Sequence, residues 1–409
     1  MRFCKTFFLL FVSFQIQLFA QPAYVSVEQG EEKFNENKIT EAYALFEKAI
    51  AKEKDNFEAY TWRGRCYIAQ NKPDLAIADF SQAIKLNKDF QKPYFYRGTL
   101  YANAKEYKKA IDDFSTLLKL NPKYVDAYIQ RGLCYSKNNQ KDLALADLNK
   151  CIEQNAKSAD VFYNRGLIYK EMAKDEEAIK DFTQTIAIKT DYSGAYFNRA
   201  LIYQKQNKYA QAVADYTKTI DYRNTADVVY INRATCNEAL SKFDDALKDY
   251  NRLLDEVKSK DASLYTKRGI IKSKKALYAE AVKDFNKAVT ANKTDLTALY
   301  ERGMANYKQG KAKFPVANID FNKCIELKAD MHEAYYGLAS VLFEQQKFQP
   351  AIDNLNKAIK IKEEGNYLYL RSKCFYKIEN KNACCSDLKR AADLNHPEAK
   401  KDAKTICFY

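Results

Sequence analysis

The chain has 409 residues, of which 47% are apolar and 29% charged, and its formal net charge is +14. An apolar fraction of that size describes a globular chain, and the length exceeds what one compact core supports, so several domains or a repeat array are required. The basic excess is lysine spread evenly along the chain, which reads as a solvated surface, and no nucleic-acid partner is expected.

The N-terminus opens Met1-Arg2-Phe3-Cys4-Lys5, continues through the apolar run Phe7 to Val12, and ends on Leu18-Phe19-Ala20. A basic start, an apolar stretch and a small closing residue predict a secretory signal peptide over residues 1–20, cleaved after Ala20. Ser13, Gln15 and Gln17 interrupt the stretch, whereas a membrane span needs about 20 mostly apolar residues. No cysteine stands immediately past the cleavage point, where Gln21 follows, so a lipoprotein signal is not expected. The mature chain is expected to be exported and periplasmic or secreted, without stable membrane insertion.

From there on one pattern returns. Arg63-Gly64, Arg97-Gly98, Arg131-Gly132 and Arg165-Gly166 follow one another at intervals of 34 residues. The register continues as Arg199-Ala200, Arg233-Ala234, Arg268-Gly269, Arg302-Gly303 and Arg371-Ser372, with Gly30 before and Ala339 between, which makes eleven units. An aromatic stands four residues before most of the small residues, as at Tyr60, Tyr94 and Tyr128, and Tyr67, Tyr101 and Tyr135 stand three after. An alanine follows at twelve, as at Ala76, and a large ring four beyond it, as at Phe80, Phe114 and Phe182. Spacings of three and four lie on one helix face, so each unit is predicted to be two amphipathic helices, A and B, joined by a short turn. Glycine costs about 1 kcal/mol inside a helix, and its recurrence implies close approach of A to B.

The pattern Tyr-x-x-Arg-Gly-x-x-Tyr followed by Ala-x-x-x-Phe-x-x-Ala, with Asn121-Pro122 closing one unit, resembles the tetratricopeptide repeat. The resemblance implies an all-α fold: a right-handed superhelical solenoid of about eleven helix pairs over residues 21–396, with a capping helix or tail over 397–409. One such pair cannot bury its apolar face alone, so stacking is required. Departures are the missing Trp at the first aromatic position and insertions near Val257-Lys258 and Lys311–Phe314.

Each Arg of the pattern has an Asp sixteen residues on, at Asp79, Asp113, Asp147, Asp181, Asp215, Asp249, Asp284 and Asp387, and at Asp320 after an insertion. The two units that lack the Arg, with Gln29 and Leu338, lack the Asp as well, having Leu45 and Asn354. Joint loss predicts a part-buried ion pair within each unit. Cys66, Cys134, Cys236 and Cys374 share a position with Leu100 and Ile168, and Cys151 and Cys324 share one with Ala49 and Ala83, so these six read as packing residues. The segment from Ala383 to Cys407 resembles the closing segment of exported bacterial repeat proteins, which implies a Cys385–Cys407 disulfide; a Cys374–Cys384 link is the alternative.

No catalytic motif occurs, and His332 and His396 stand far apart in the register, so neither enzyme activity nor a cofactor or metal site is expected. The resemblance implies binding of a partner protein or peptide along helix A positions 2, 5, 9, 12 and 13, counting the small residue as position 8. At positions 5 and 12 the last three units carry Tyr300 and Tyr307, Tyr336 and Phe343, then Tyr369 and Tyr376, flanked by Lys308, Lys373 and Lys377. Rings dominate binding hot spots, and the lysines suit an acidic segment. The competing reading is that these rings pack between units as core. A structural or glycan-associated envelope scaffold is the other function considered, and self-association is compatible with either.

Overall fold

The computed structural model describes residues 23–154, 158–222 and 226–407; the leader expected over residues 1–20 lies outside them. Among the described residues all regular structure is helical, in antiparallel pairs that follow the eleven predicted units. The chain divides into two compact units after Ile202, within helix A of repeat six (Ser193–Lys205). The first holds repeats one to five; the second begins with helix B of repeat six (Tyr209–Asp221) and runs through repeat eleven and a final helix, Pro397–Cys407.

Repeat two shows why the sequence folds this way. The Asn56 side chain accepts a hydrogen bond from the Ala59 amide and starts helix A (Phe57–Ala69), while Pro73 occupies the first turn of helix B (Pro73–Leu86), where no amide is needed. Ala76, Phe80 and Ala83 of helix B are fully buried. A Cβ on Gly64 would lie 2.6 Å from the Phe80 ring, so the small residue is what lets A and B touch. The same ring is fully buried at Phe46, Phe114, Phe182, Phe285 and Phe321, and each stabilises its repeat by about 1.5–3 kcal/mol.

Between A and B the chain turns through one left-handed residue: Asn37, Asn71, Lys105, Asn139, Ala173, Asn207, Ser241, Ala276, Gln346 and Glu379 all have φ near +60°. In repeat two the Lys72 amide then reaches back to the Tyr67 carbonyl, which satisfies the helix end. Repeat nine differs, because its two extra residues form Gly310, at φ 99°, and a single 3-10 turn, Lys311–Lys313. The one extra residue after repeat seven is absorbed at the end of its helix B by a π-helical turn, Arg252–Glu256, which keeps Leu253 and Leu254 buried.

The expected ion pairs form in eight repeats. Each is a two-pronged contact, as where Arg97 Nε and Nη2 lie 2.9 and 2.7 Å from the Asp113 carboxylate, and the aspartates are buried. Arg302 and Asp320 pair across 18 residues instead of 16, with the inserted turn between them. The ninth expected pair, Arg199 and Asp215, has one member in each unit. Burial pushes the carboxyls of Asp113 and Asp320 above the usual range, against the pull of Arg97 and Arg302. One feature was not predicted: the third prong, Nη1, crosses to helix B of the preceding repeat, from Arg97 to Ser81, Arg131 to Ser115, Arg165 to Asn149 and Arg302 to Asn286. Each guanidinium therefore fastens two repeats, not one. Arg268 makes this contact to Asn251, 17 residues back, because the π turn has added one residue.

Candidate protein-binding face

In each unit successive A helices approach one another more closely than successive B helices, which puts the A helices on the inner side of the curve. Positions 5 and 12 of repeats nine to eleven lie on this side, on Leu296–Lys308, His332–Glu344 and Gly365–Lys377. Their rings differ in how far they are committed to packing. Tyr300 is half-buried against Phe321, and Tyr307 stacks on Phe314 at 5.7 Å. Tyr336 leans on Tyr367 at 4.9 Å, and Phe343 meets Phe348 edge-on at 5.7 Å. Tyr369 stacks on His396 at 4.2 Å, and its hydroxyl lies 2.9 Å from Glu398 and 2.8 Å from Asp402. Burial and these two carboxylates push its phenol above the ordinary tyrosine range. Tyr376 alone of the six stands out, 55% exposed.

The lysines are all exposed. Lys308 Nζ lies 5.6 Å from the Tyr307 ring centre, and Lys373 Nζ lies 5.2 Å from Tyr369 and 5.8 Å from Phe343. Phe343, Lys373, Tyr376 and Lys377 come together at one cavity of about 240 Å³, closed by Leu388 of helix B and by Asp402 and Ile406 of the final helix. A second, larger hollow shares Tyr376, Lys377 and Ile406 and adds Lys381 and Glu379. Tyr300, Tyr307, Lys308, Tyr336 and Tyr369 do not line that cavity. The sequence reading missed Leu388, Asp402 and Ile406, since only docking of the final helix brings them there.

That final helix packs Ala399, Ala403 and Ile406 on Leu368, Cys384 and Leu388. Its last residue, Cys407, stands at bonding distance from Cys385, with Cα atoms 5.7 Å apart. Cys374 and Cys384 are buried and unlinked. Residues 408–409 of the expected tail lie outside the described residues.

The repeat read from the residues is also found by comparison. Tetratricopeptide repeat profiles match residues 57–90, 91–124, 125–158, 159–192, 193–225, 262–295 and 332–364, more than half of the chain. The chain belongs to the tetratricopeptide repeat family. No curated protein matches it. Among solved structures, a tetratricopeptide repeat protein from Parabacteroides merdae is 22% identical over 60% of this chain and 96% of its own, with a TM-score of 0.46. MamA is 24% identical over 39% of this chain and 94% of its own, TM-score 0.38. YrrB, described as a protein with an unusual peptide-binding site, is 22% identical over 45% of this chain and 95% of its own, TM-score 0.40.

The inner face of this tetratricopeptide chain also holds a polar cluster in repeats five and six that the sequence reading passed over. Lys170 Nζ donates to Asn198 Oδ1 at 2.7 Å, and Asn198 Nδ2 reaches the Tyr163 hydroxyl and the Gly194 carbonyl. Burial pulls the Lys170 ammonium below the ordinary lysine range. Asn198 sits at position 6, outside the positions that the resemblance implied, and Asn164 and Asn232 hold the same position in the flanking repeats, so nothing in the sequence singled it out. Among the described residues no group of three or more His, Cys, Asp or Glu side chains is placed to hold a metal, and no helix is long and apolar enough to cross a membrane.

Proposed function

We propose that this protein is a non-catalytic scaffold that works outside the cytoplasm and holds a partner protein or peptide on the helix-A side of repeats nine to eleven. The observation that supports this reading is the cavity between Phe343, Tyr376 and the final helix, with Lys373 and Lys377 at its rim. An exposed ring over an apolar floor offers large buried area at low entropy cost, and the two ammonium groups favour an acidic segment. The first residues, read as a cleaved leader, supply the location.

Affinity purification from the native cell, followed by mass spectrometry, identifies the partner. Tyr376→Ala and the double change Lys373→Ala with Lys377→Ala are each expected to weaken capture at least tenfold, or about 1.4 kcal/mol, with melting nearly unchanged. Capture that persists in both variants would overturn the site, and retention on cell-wall glycan with no protein partner would favour an envelope scaffold. N-terminal sequencing of the extracytoplasmic protein should begin at Gln21. A chain that starts at Met1 in the cytoplasmic fraction would remove the export reading.

A further inference from the structure

Two helix faces of opposite charge are left bare, one in each compact unit. In the first, helix A of repeat one (Ala23–Asn35) borders a shallow depression of about 540 Å³ with Glu28, Glu31, Glu32, Asn35 and, just past its end, Glu36. Glu36 is paired with Lys33 and Lys38, whereas Glu31 and Glu32 form no ion pair among the described residues. Glu28 stands at position 6. In the next two repeats that position holds Trp62 and Tyr96, which stack on Phe46 and Phe80 of the repeat before, at 5.9 and 5.6 Å. Repeat one therefore presents a carboxylate where these repeats present a ring, and Tyr24, one turn before it, is 61% exposed.

In the second unit the final helix, Pro397–Cys407, and helix B of repeat eleven, Lys381–Asp393, leave between them a hollow of about 690 Å³. Its floor is Ala392 and Ala403 and its rim is Lys389, Lys400, Lys401 and Lys404, with Asp393 the one carboxylate in the lining. All four lysines are exposed, and none forms an ion pair among the described residues. This hollow shares no lining residue with the cavity at Tyr376. Lys400 and Lys404 stand one turn apart, and so do Glu28 and Glu32. Like charges at that spacing repel along their own helix, and the repulsion is relieved when two rows of opposite sign and equal pitch face each other. Apolar surface accompanies the charge on both sides, Tyr24 on one and the alanine floor on the other.

We propose that the lysine-rimmed hollow beside the final helix of one copy receives helix A of repeat one of a second copy. The two surfaces differ, so the contact is heterologous: it leaves the acidic face of the first copy and the lysine face of the second open to further copies. It uses none of the residues of the cavity at Tyr376, so either site stands if the other fails.

Protein isolated from the native cell is followed by sedimentation equilibrium. Its average mass is expected to rise above that of a monomer with concentration, and to fall back between about 0.01 and 1 M salt, as the screening length shrinks from about 30 to about 3 Å. The double change Glu28→Lys with Glu32→Lys, and separately Lys400→Glu with Lys404→Glu, should each weaken association at least tenfold with helical circular dichroism retained. Mixing the two variants should restore a complex, because the unchanged lysine face of one meets the unchanged acidic face of the other. If either variant loses its helical signal, glutamine replaces the reversed charge at the same two positions and should still weaken association at least threefold. A wild-type protein that stays monomeric at millimolar concentration, association that ignores salt or either pair of substitutions, or a mixture no larger than its parts would overturn the proposal. Binding to phosphatidylglycerol vesicles without self-association would overturn it too and assign the lysine face to a membrane surface.

Discussion

A guanidinium shared between two repeats sets what a single substitution does. Arg165 lies 2.7 Å from each Asp181 oxygen and 2.7 Å from Asn149 of the repeat before it. Asp181→Ala leaves a part-buried cation without its counter-charge, and a loss of about 3 kcal/mol is expected, at the low end for buried pairs because Arg165 keeps some contact with water. Adding Arg165→Ala should cost little more, and a double-mutant cycle by urea unfolding that showed full additivity would mean the two groups never met. The left-handed turn residues offer the opposite sign. Ala173 holds φ 56°, a conformation that costs a side chain about 1–2 kcal/mol, so Ala173→Gly should stabilise by roughly 0.5–1 kcal/mol after the entropy lost by glycine. A fall in stability would show that the turn carries no strain. The buried thiols give a third test. Burial pushes Cys66, Cys134 and Cys236 up to about 11, and Cys151, Cys324 and Cys374 up to about 12. At pH 8 these six should resist iodoacetamide in the folded protein and react once it is denatured; rapid native labelling would contradict the burial.

At the scale of one element, the final helix is the least self-sufficient part of the second unit. Only Ala399 on it is fully buried, with Ala403 and Ile406 partly so, and two of its polar contacts are the carboxylates around the Tyr369 hydroxyl. The Cys385–Cys407 cross-link closes a loop of 22 residues, a size for which a disulfide contributes roughly 3 kcal/mol. Non-reduced peptide mapping should recover this link and leave Cys374 and Cys384 free. Reduction should accelerate amide exchange over residues 398–406 and leave repeat eight unchanged. Finding both thiols free in protein isolated without reductant would remove the cross-link and its role in closing the cavity at Tyr376.

Within each compact unit the described helices pack on those of the same repeat and of the adjacent one, so stability is local and propagates one step at a time. Gly98→Leu would drive a side chain into Phe114 and Asp113, since even a Cβ there lies 3.0 Å from the ring. Hydrogen exchange is expected to rise in repeats two to four and to stay unchanged in repeats nine to eleven. A uniform rise along the chain would show a single cooperative core and contradict nearest-neighbour stacking.

The sequence by itself determined the repeat, its register, the A–B contact and the Arg–Asp pairs. These rest on spacings of three and four residues, which translate directly into helix faces, and of sixteen, which recurs in eight of the eleven copies. The insertion in repeat nine was legible too, since Arg302 pairs with Asp320 two residues late. What one repeat does to the next left a fainter trace. The third prong of each arginine ends on Ser81, Ser115, Asn149 or Asn286, small polar residues that look like ordinary surface until the following repeat packs on them. The six inner-face rings were alike in the pattern, yet Tyr369 is covered by the final helix while Tyr376 is left bare, because that helix is held by a cross-link and a few small side chains outside the repeat register.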